Sequence, residues 1–320
     1  MRGPRRFPTR APTRPSEHSA ARTRDDVSTI PLSYRPPYDW AAMLGWLAPR
    51  STPGVEAVAD GSYRRSVRLG EHRGTVAVRA DLDAPALQVE LSPSLAPARE
   101  PLVARIRQLL DLDADPEIVR RHFARDPWIG PLVERRLGLR VPGAMDGFEL
   151  AVRAVLGQQV SVRGASTLAG RLAALLGEPL PPDVLAEGVA WLPITPARLA
   201  EAREATVAGI GIPLARARTL VALAQAVAGG GLDLAPGAQV ERTRFALMEL
   251  PGVGDWTAEY VLMRAVRWPD AFPAGDLGLR KAAGGIGAPE LRRRAEAWRP
   301  WRSYAAAHLW RSLADPAGPA

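Results

Sequence analysis

The spacing of apolar positions changes part-way along the chain, and the change divides it. Behind Asp39, a favourable cap, Trp40, Met43, Leu44 and Leu47 recur at helical spacing. Alternation with period two follows at Val67 and Leu69, at Val76 and Val78 beyond the Gly70 to Gly74 turn region, and at Leu87, Val89 and Leu91. A helix with Leu102, Ile106, Leu109 and Leu110 on one face closes this region. Strands grouped together and flanked by helices predict a small antiparallel α/β domain over residues 35–115.

From about residue 116 the strand pattern disappears. Ile118, Val119 and Phe123, then Trp128, Leu132, Val133 and Leu137, predict two helices before the Val141-Pro142-Gly143 break. Asp146 can cap the next helix, which carries Phe148, Val152, Val155 and Leu156; another carries Val162, Leu168, Leu172 and Leu175. Residues 179–196 are Pro-rich and read as loop. A helix from Ala215 to Ala228 ends at Gly229-Gly230-Gly231, and Phe245, Leu247, Met248 and Leu250 mark a helix broken at Pro251. The fold class is therefore α+β, a small sheet domain followed by a mostly helical region over 116–315.

Residues 1–34 lack apolar periodicity and carry five prolines among Arg, Ser and Thr, so they are expected to form a disordered basic tail. It reads either as an arm tracking a polyanion or as a solvated extension. Residues 316–320 form a short second tail. Net charge is +8, of which +4 falls in the first 34 residues, and the only lysine is Lys281. This balance points toward a polyanionic partner, although an Arg-, Ala-, Pro- and Gly-heavy composition also follows from GC-rich coding. No apolar run approaches the roughly 20 residues of a membrane span. The Arg-bearing N-terminus has no apolar segment typical of a secretory signal, so the cytoplasm is expected. With no cysteine, disulfides, thiol nucleophiles and cysteine-bound zinc or iron–sulfur clusters are excluded.

The densest chemistry lies between Leu247 and Lys281. Pro251-Gly252-Val253-Gly254 joins two helical patterns and places backbone N–H groups at the open start of the second, where a phosphate would be attracted. An ordinary tight turn would look similar. Trp256 and Tyr260, four apart, share a helix face and are either core or an exposed aromatic wall. Gln158 and Gln159 are either polar residues at a helix corner or a rigid pair able to enter a groove. Asp276, after the Pro273-Ala274-Gly275 loop, begins an apparent helix and can be its N-cap.

Four segments, PPYDWAAMLGWLA, RAVLGQQVS, LPGVGDWTAEY and WRPWRSYAAAHLW, fall in order between about residues 35 and 312 and closely resemble the alkylation-repair branch of the helix-hairpin-helix (HhH-GPD) DNA glycosylases. The resemblance implies a two-lobed helical core with an active-site cleft between the lobes. It makes Asp276 the catalytic aspartate, Trp256, Tyr260 and Trp310 the base pocket, and Gln158, Gln159, Gly252, Val253 and Gly254 the DNA contacts. Tryptophan at 256 stands where lyase-type relatives carry the lysine that attacks the sugar. Lys281 lies five residues beyond Asp276, so a monofunctional enzyme is expected. No cofactor and no iron–sulfur cluster are expected, and no metal is held by side chains, though a monovalent cation at the hairpin carbonyls is implied. The expected partner is double-stranded DNA carrying alkylated purines such as 3-methyladenine or 7-methylguanine, bound by a monomer associated with the nucleoid. The sequence departs from the family at Gln159, where some members place an apolar wedge, and at Gly275, where an acid can precede the aspartate. The competing readings are a non-enzymatic hairpin DNA-binding module, which would need neither Asp276 nor the aromatic pair, and a glycosylase for oxidised or deaminated bases.

Overall fold

The computed structural model describes residues 28–184 and 186–314. Its N-terminal part is a five-stranded antiparallel sheet of β1 (Ser28–Ser33), β2 (Glu56–Ala59), β3 (Ser62–Leu69), β4 (His72–Ala80) and β5 (Ala86–Leu91), in the order β1-β5-β4-β3-β2. Two helices, α1 (Trp40–Leu47) and α2 (Arg99–Leu110), supply Met43, Leu47, Leu102 and Ile106 to a core completed by Tyr63, Val76, Val78, Leu87 and Val89 from the strands. Asp39 caps α1 as expected, accepting from the Ala42 backbone N–H at 2.8 Å.

Strand β1 corrects the sequence reading, which placed residues 28–33 in the basic tail. Ile30 and Leu32 alternate inward and are buried, opposite Val89 and Leu87. Pro31 hides the pattern, and it is tolerated because β1 is an edge strand, where a missing N–H costs no ladder bond. Residues 1–27 of the expected tail, and residues 316–320, lie outside the described residues. Strand β2 is too short and too rich in Ala to give a periodic signal.

The remaining helices are α3 (Pro116–Phe123), α4 (Ile129–Arg135), α5 (Gly147–Leu156), α6 (Val162–Leu176), α7 (Pro196–Ala200), α8 (Glu204–Ala208), α9 (Leu214–Ala228), α10 (Val240–Met248), α11 (Asp255–Arg264), α12 (Leu277–Ala282), α13 (Ala288–Ala295) and α14 (Arg302–Ser312). They enclose two cores. One joins Val152 and Val155 of α5 to Leu168, Leu220, Leu223 and Val261. The other joins Phe123 and Ile129 of α3 and α4 to Leu262, Phe272, Leu279, Trp298 and Leu309. Helix α11 faces both, with Ala258 and Val261 toward the first and Leu262 and Met263 toward the second, so one helix is the shared wall of two lobes. The second lobe is assembled from segments far apart in sequence, since α3 and α4 pack with the C-terminal helices.

Residues 179–196 are less loop-like than their composition suggests. Leu180, Val184, Val189 and Leu192 form a small buried cluster, and Ser66 Oγ of β3 donates to the Trp191 carbonyl at 2.6 Å. Among the described residues, no helix is long and apolar enough to cross a membrane.

Candidate active site

Where the sheet domain and the two lobes meet, a cleft of about 1230 Å³ opens, lined by residues of α1, α5, α11, α12 and α14. The α10–α11 hairpin stands at its rim. Gly252 has φ +78°, a conformation that favours glycine, and a Cβ there would lie 2.7 Å from Thr219 Oγ1 of α9. That hydroxyl donates to the Pro251 carbonyl at 2.7 Å and pins the turn to the first lobe. Gly254 is the N-cap of α11, leaving the helix start open as the sequence implied.

The two glutamines separate. Gln158 Nε2 donates to the Gly252 carbonyl at 2.9 Å and to Thr257 Oγ1 at 3.0 Å, so its side chain ties the α5–α6 corner to the hairpin. Gln159 is exposed at the cleft mouth with φ +57°, a strained backbone for a non-glycine residue.

Asp276 is both an N-cap and a member of the cleft. Its Oδ1 accepts from the Leu279 backbone N–H at 2.9 Å and from Trp310 Nε1 at 2.8 Å, while Oδ2 accepts from Trp256 Nε1 at 2.9 Å. Two indoles from different helices thus aim one carboxylate. Trp256 and Tyr260 are stacked, with centroids 5.4 Å apart and planes 16° from parallel, and Tyr260 meets Trp310 edge-on at 6.3 Å. The sequence-predicted pocket residues therefore come together around Asp276. Lys281 is exposed on α12 and does not line the cleft.

The structure adds residues that sequence reading missed. Trp46 of α1 packs on Trp310 with centroids 5.1 Å apart, and Arg50 lies 3.5 Å over the Trp46 ring. Trp46 sits off the apolar stripe of α1 and Arg50, in the turn after it, follows four residues later, which was the available signal. Gly278 permits the approach of Trp310: a Cβ there would fall 3.0 Å from Asp276 Oδ1 and 3.1 Å from Trp310 Cδ1. Arg264, buried on α11, donates from Nη1 to Tyr260 Oη at 2.7 Å and from Nε and Nη2 to the carbonyls of Pro142 and Gly143. Arg153 of α5 donates to the Arg50 carbonyl at 3.0 Å and to Ser166 Oγ at 2.9 Å. Burial lowers the Arg50 guanidinium to about 10, helped by the positive charges of Arg264 and Arg153. The cleft is therefore cationic as well as aromatic.

Residues 29–146 match the AlkA N-terminal domain, and residues 152–302 match the HhH-GPD superfamily base excision DNA repair proteins. The chain is 40% identical to DNA-3-methyladenine glycosylase 2 of Escherichia coli over 279 residues, covering 87% of this chain and 95% of that protein. This chain is a member of the DNA-3-methyladenine glycosylase 2 family.

It is also 41% identical, over 304 residues, to a probable bifunctional transcriptional activator/DNA repair enzyme AlkA of Mycobacterium tuberculosis, spanning 59% of that protein's length. Among solved structures, the 3-methyladenine DNA glycosylase of Archaeoglobus fulgidus superposes with a TM-score of 0.73 at 22% identity, over 88% of this chain and 97% of the other. An 8-oxoguanine glycosylase/lyase of Clostridium acetobutylicum superposes with a TM-score of 0.67 at 16% identity, over 85% and 90%. The fold is thus shared with both a 3-methyladenine DNA glycosylase and an 8-oxoguanine glycosylase/lyase.

Proposed function

We propose that this chain removes alkylated purines from double-stranded DNA by hydrolysing the N-glycosidic bond, leaving the strand uncut. The observation that carries this reading is Asp276, a carboxylate aimed by two indole N–H groups and a backbone N–H in a cleft walled by aromatic rings. Extrusion of a damaged base costs a few kcal/mol, least where pairing is already weakened. The Gly252-Val253-Gly254 turn holds a phosphate through N–H groups at the start of α11, while Gln159, projecting at the mouth, fills the space the base leaves. The base enters the cleft among Trp256, Tyr260, Trp310 and Trp46.

Cleavage takes the C1′–N bond's electron pair onto the base. A purine made cationic by alkylation leaves as a neutral molecule. Positive charge then develops on the sugar, where the Asp276 carboxylate stabilises it, and a water oxygen adds to C1′ with loss of a proton to Asp276 or solvent. Trp256 Nε1 lies 2.9 Å from Asp276 where a lyase would need an amine nucleophile, which supports hydrolysis without strand cleavage. No cofactor takes part in these steps. At the hairpin, the Pro251 and Gly252 carbonyls accept from Thr219 and Gln158, which leaves each a lone pair for the monovalent cation the family resemblance implies. The enzyme works as a monomer in the cytoplasm, on the nucleoid.

The test is chromatography of bases released from methylated duplex DNA, with borohydride trapping alongside. Release of 3-methyladenine and 7-methylguanine without a trapped covalent adduct is the expected result. Failure to release either base overturns the activity, and a trapped adduct overturns the monofunctional assignment.

A further inference from the structure

The corner between α5 and α6 carries Gln159 to the cleft mouth, and little of its own backbone holds it there. Among the described residues, backbone hydrogen bonding in the corner ends with the Gln158 N–H, which donates to the Val155 carbonyl at 3.3 Å, and resumes with the Ala165 N–H of α6, which donates to the Ser161 carbonyl at 2.9 Å. Between them Gln159 is exposed with φ +57°, a conformation that a non-glycine residue keeps only where its surroundings impose it. The side chain of the preceding residue supplies that restraint. A primary amide has two hydrogens to donate, and Gln158 places them on the Gly252 carbonyl at 2.9 Å and on Thr257 Oγ1 at 3.0 Å. Its donors are committed to the hairpin before DNA arrives.

The hairpin has other means of keeping its shape. Thr219 Oγ1 of α9 pins the turn through the Pro251 carbonyl at 2.7 Å, and Arg244 of α10 joins Asp255 and Glu259 of α11 at 2.6 and 3.1 Å. The two bonds from Gln158 therefore serve the corner. They set Gln159 in fixed register with the turn whose N–H groups lie open at the start of α11.

We propose that Gln158 is a positioning residue for base extrusion: it holds Gln159 in its insertion geometry and fixes it to the hairpin, so that phosphate capture at Gly252 to Gly254 and entry of Gln159 into the space left by the base are one step. The proposal rests on the glycosylase reading above. Gln158 acts on the substrate only through Gln159. Rigidity matters at this position because the inserted side chain competes with the extruded base for the same space in the duplex, and a loosely mounted arm loses that competition.

Two measurements on the full chain test this: single-turnover release of 3-methyladenine from methylated duplex DNA at saturating enzyme, and affinity for undamaged duplex. They are made on the wild type, Gln158→Ala, Gln159→Ala and the double variant. Each single substitution should slow release by about 10- to 100-fold, while affinity for undamaged duplex stays within about threefold of wild type, because Thr219 keeps the phosphate-binding turn in place. With Gln158 working through Gln159, the double variant should be slower than the slower single variant by no more than about twofold. Losses that multiply in the double variant mean that the two residues act separately, and they overturn the proposal. So does release at the wild-type rate in either single variant. Affinity for undamaged duplex that falls in step with the rate in Gln158→Ala also overturns it, since the bonds would then be supporting the hairpin. Any of these beside active wild-type enzyme counts against this proposal alone, whereas wild-type enzyme that releases no 3-methyladenine overturns the glycosylase reading itself.

Discussion

At the scale of single residues, the site depends on how closely two indoles approach one carboxylate. Gly278 sits inside α12 facing Asp276 and Trp310, and alanine there would place a methyl group 3.0–3.1 Å from both. Helix propensity favours alanine over glycine by roughly 1 kcal/mol, which offsets part of the strain at the Trp310–Asp276 contact, so Gly278→Ala should lower the melting temperature only slightly. Base release should nonetheless fall about tenfold or more, because Trp310 must shift and its hydrogen bond to Asp276 is a charge-assisted one worth roughly 1.5–3 kcal/mol. Calorimetry beside a release assay separates these two effects, and a loss of stability matching the loss of activity would contradict the assignment. Asp276, Trp256, Tyr260 and Trp310 were legible through the resemblance of the segments that carry them; spacing by itself showed only that Trp256 and Tyr260 share a helix face and that Asp276 can cap a helix. Trp46, Arg50, Arg153 and Arg264 were not legible, because what brings them to Tyr260 is tertiary packing between α1, α5 and α11. Gln158 was legible as a polar corner but not as a tie, since its partners lie 94 and 99 residues away.

At the scale of elements, α14 joins the cleft to the second core. It carries Trp310 toward Asp276 and buries His308 among apolar neighbours. Burial lowers the His308 imidazole to about 4, against a smaller upward pull from a hydrogen bond with the Leu132 backbone. Because the folded value lies below the unfolded value of 6.5, the stability linked to this group is present above pH 6.5 and is lost as pH falls toward 4. The difference corresponds to about 3 kcal/mol. Urea midpoints measured between pH 7 and pH 4 should fall in the wild type and fall less in His308→Leu; identical slopes would contradict the linkage. The helices themselves were legible because period and caps agree, as at Asp39 and Asp146, whose side chains accept from backbone N–H groups in the first turn; the cap at Ser161 was not read from the sequence. Strand β1 was hidden by Pro31, and its pairing with β5 depends on residues about sixty positions away.

At the scale of the whole molecule, the sheet domain is fastened to the first lobe by a buried ion pair. Arg65 of β3, 3% exposed, donates from Nη2 to both carboxylate oxygens of Glu149 on α5, at 2.9 and 2.7 Å. Breaking a buried pair by removing one partner costs roughly 3–5 kcal/mol, since it strands the other charge. Glu56, 3.5 Å from Arg65, offsets part of that loss. Glu149→Ala should therefore lower stability by about 3 kcal/mol by denaturant unfolding, and replacing Arg65 together with Glu149 by apolar residues should recover much of it. Equal losses in the single and double variants would show that the pair is not the fastening. The division into a sheet domain and a helical region was visible in the change of apolar period, whereas the second lobe's assembly from α3, α4 and the C-terminal helices was not, because period carries no information about which helices meet.

The central claim is that the Asp276 carboxylate does chemistry instead of only capping α12. Asp276→Asn keeps an oxygen for the Leu279 N–H and removes the charge, so fold and DNA binding should survive. Single-turnover release of 3-methyladenine from methylated duplex DNA is the direct measurement. A fall of about 10²- to 10³-fold, with affinity for the same duplex within about threefold of wild type, is the predicted result; release at the wild-type rate would contradict it.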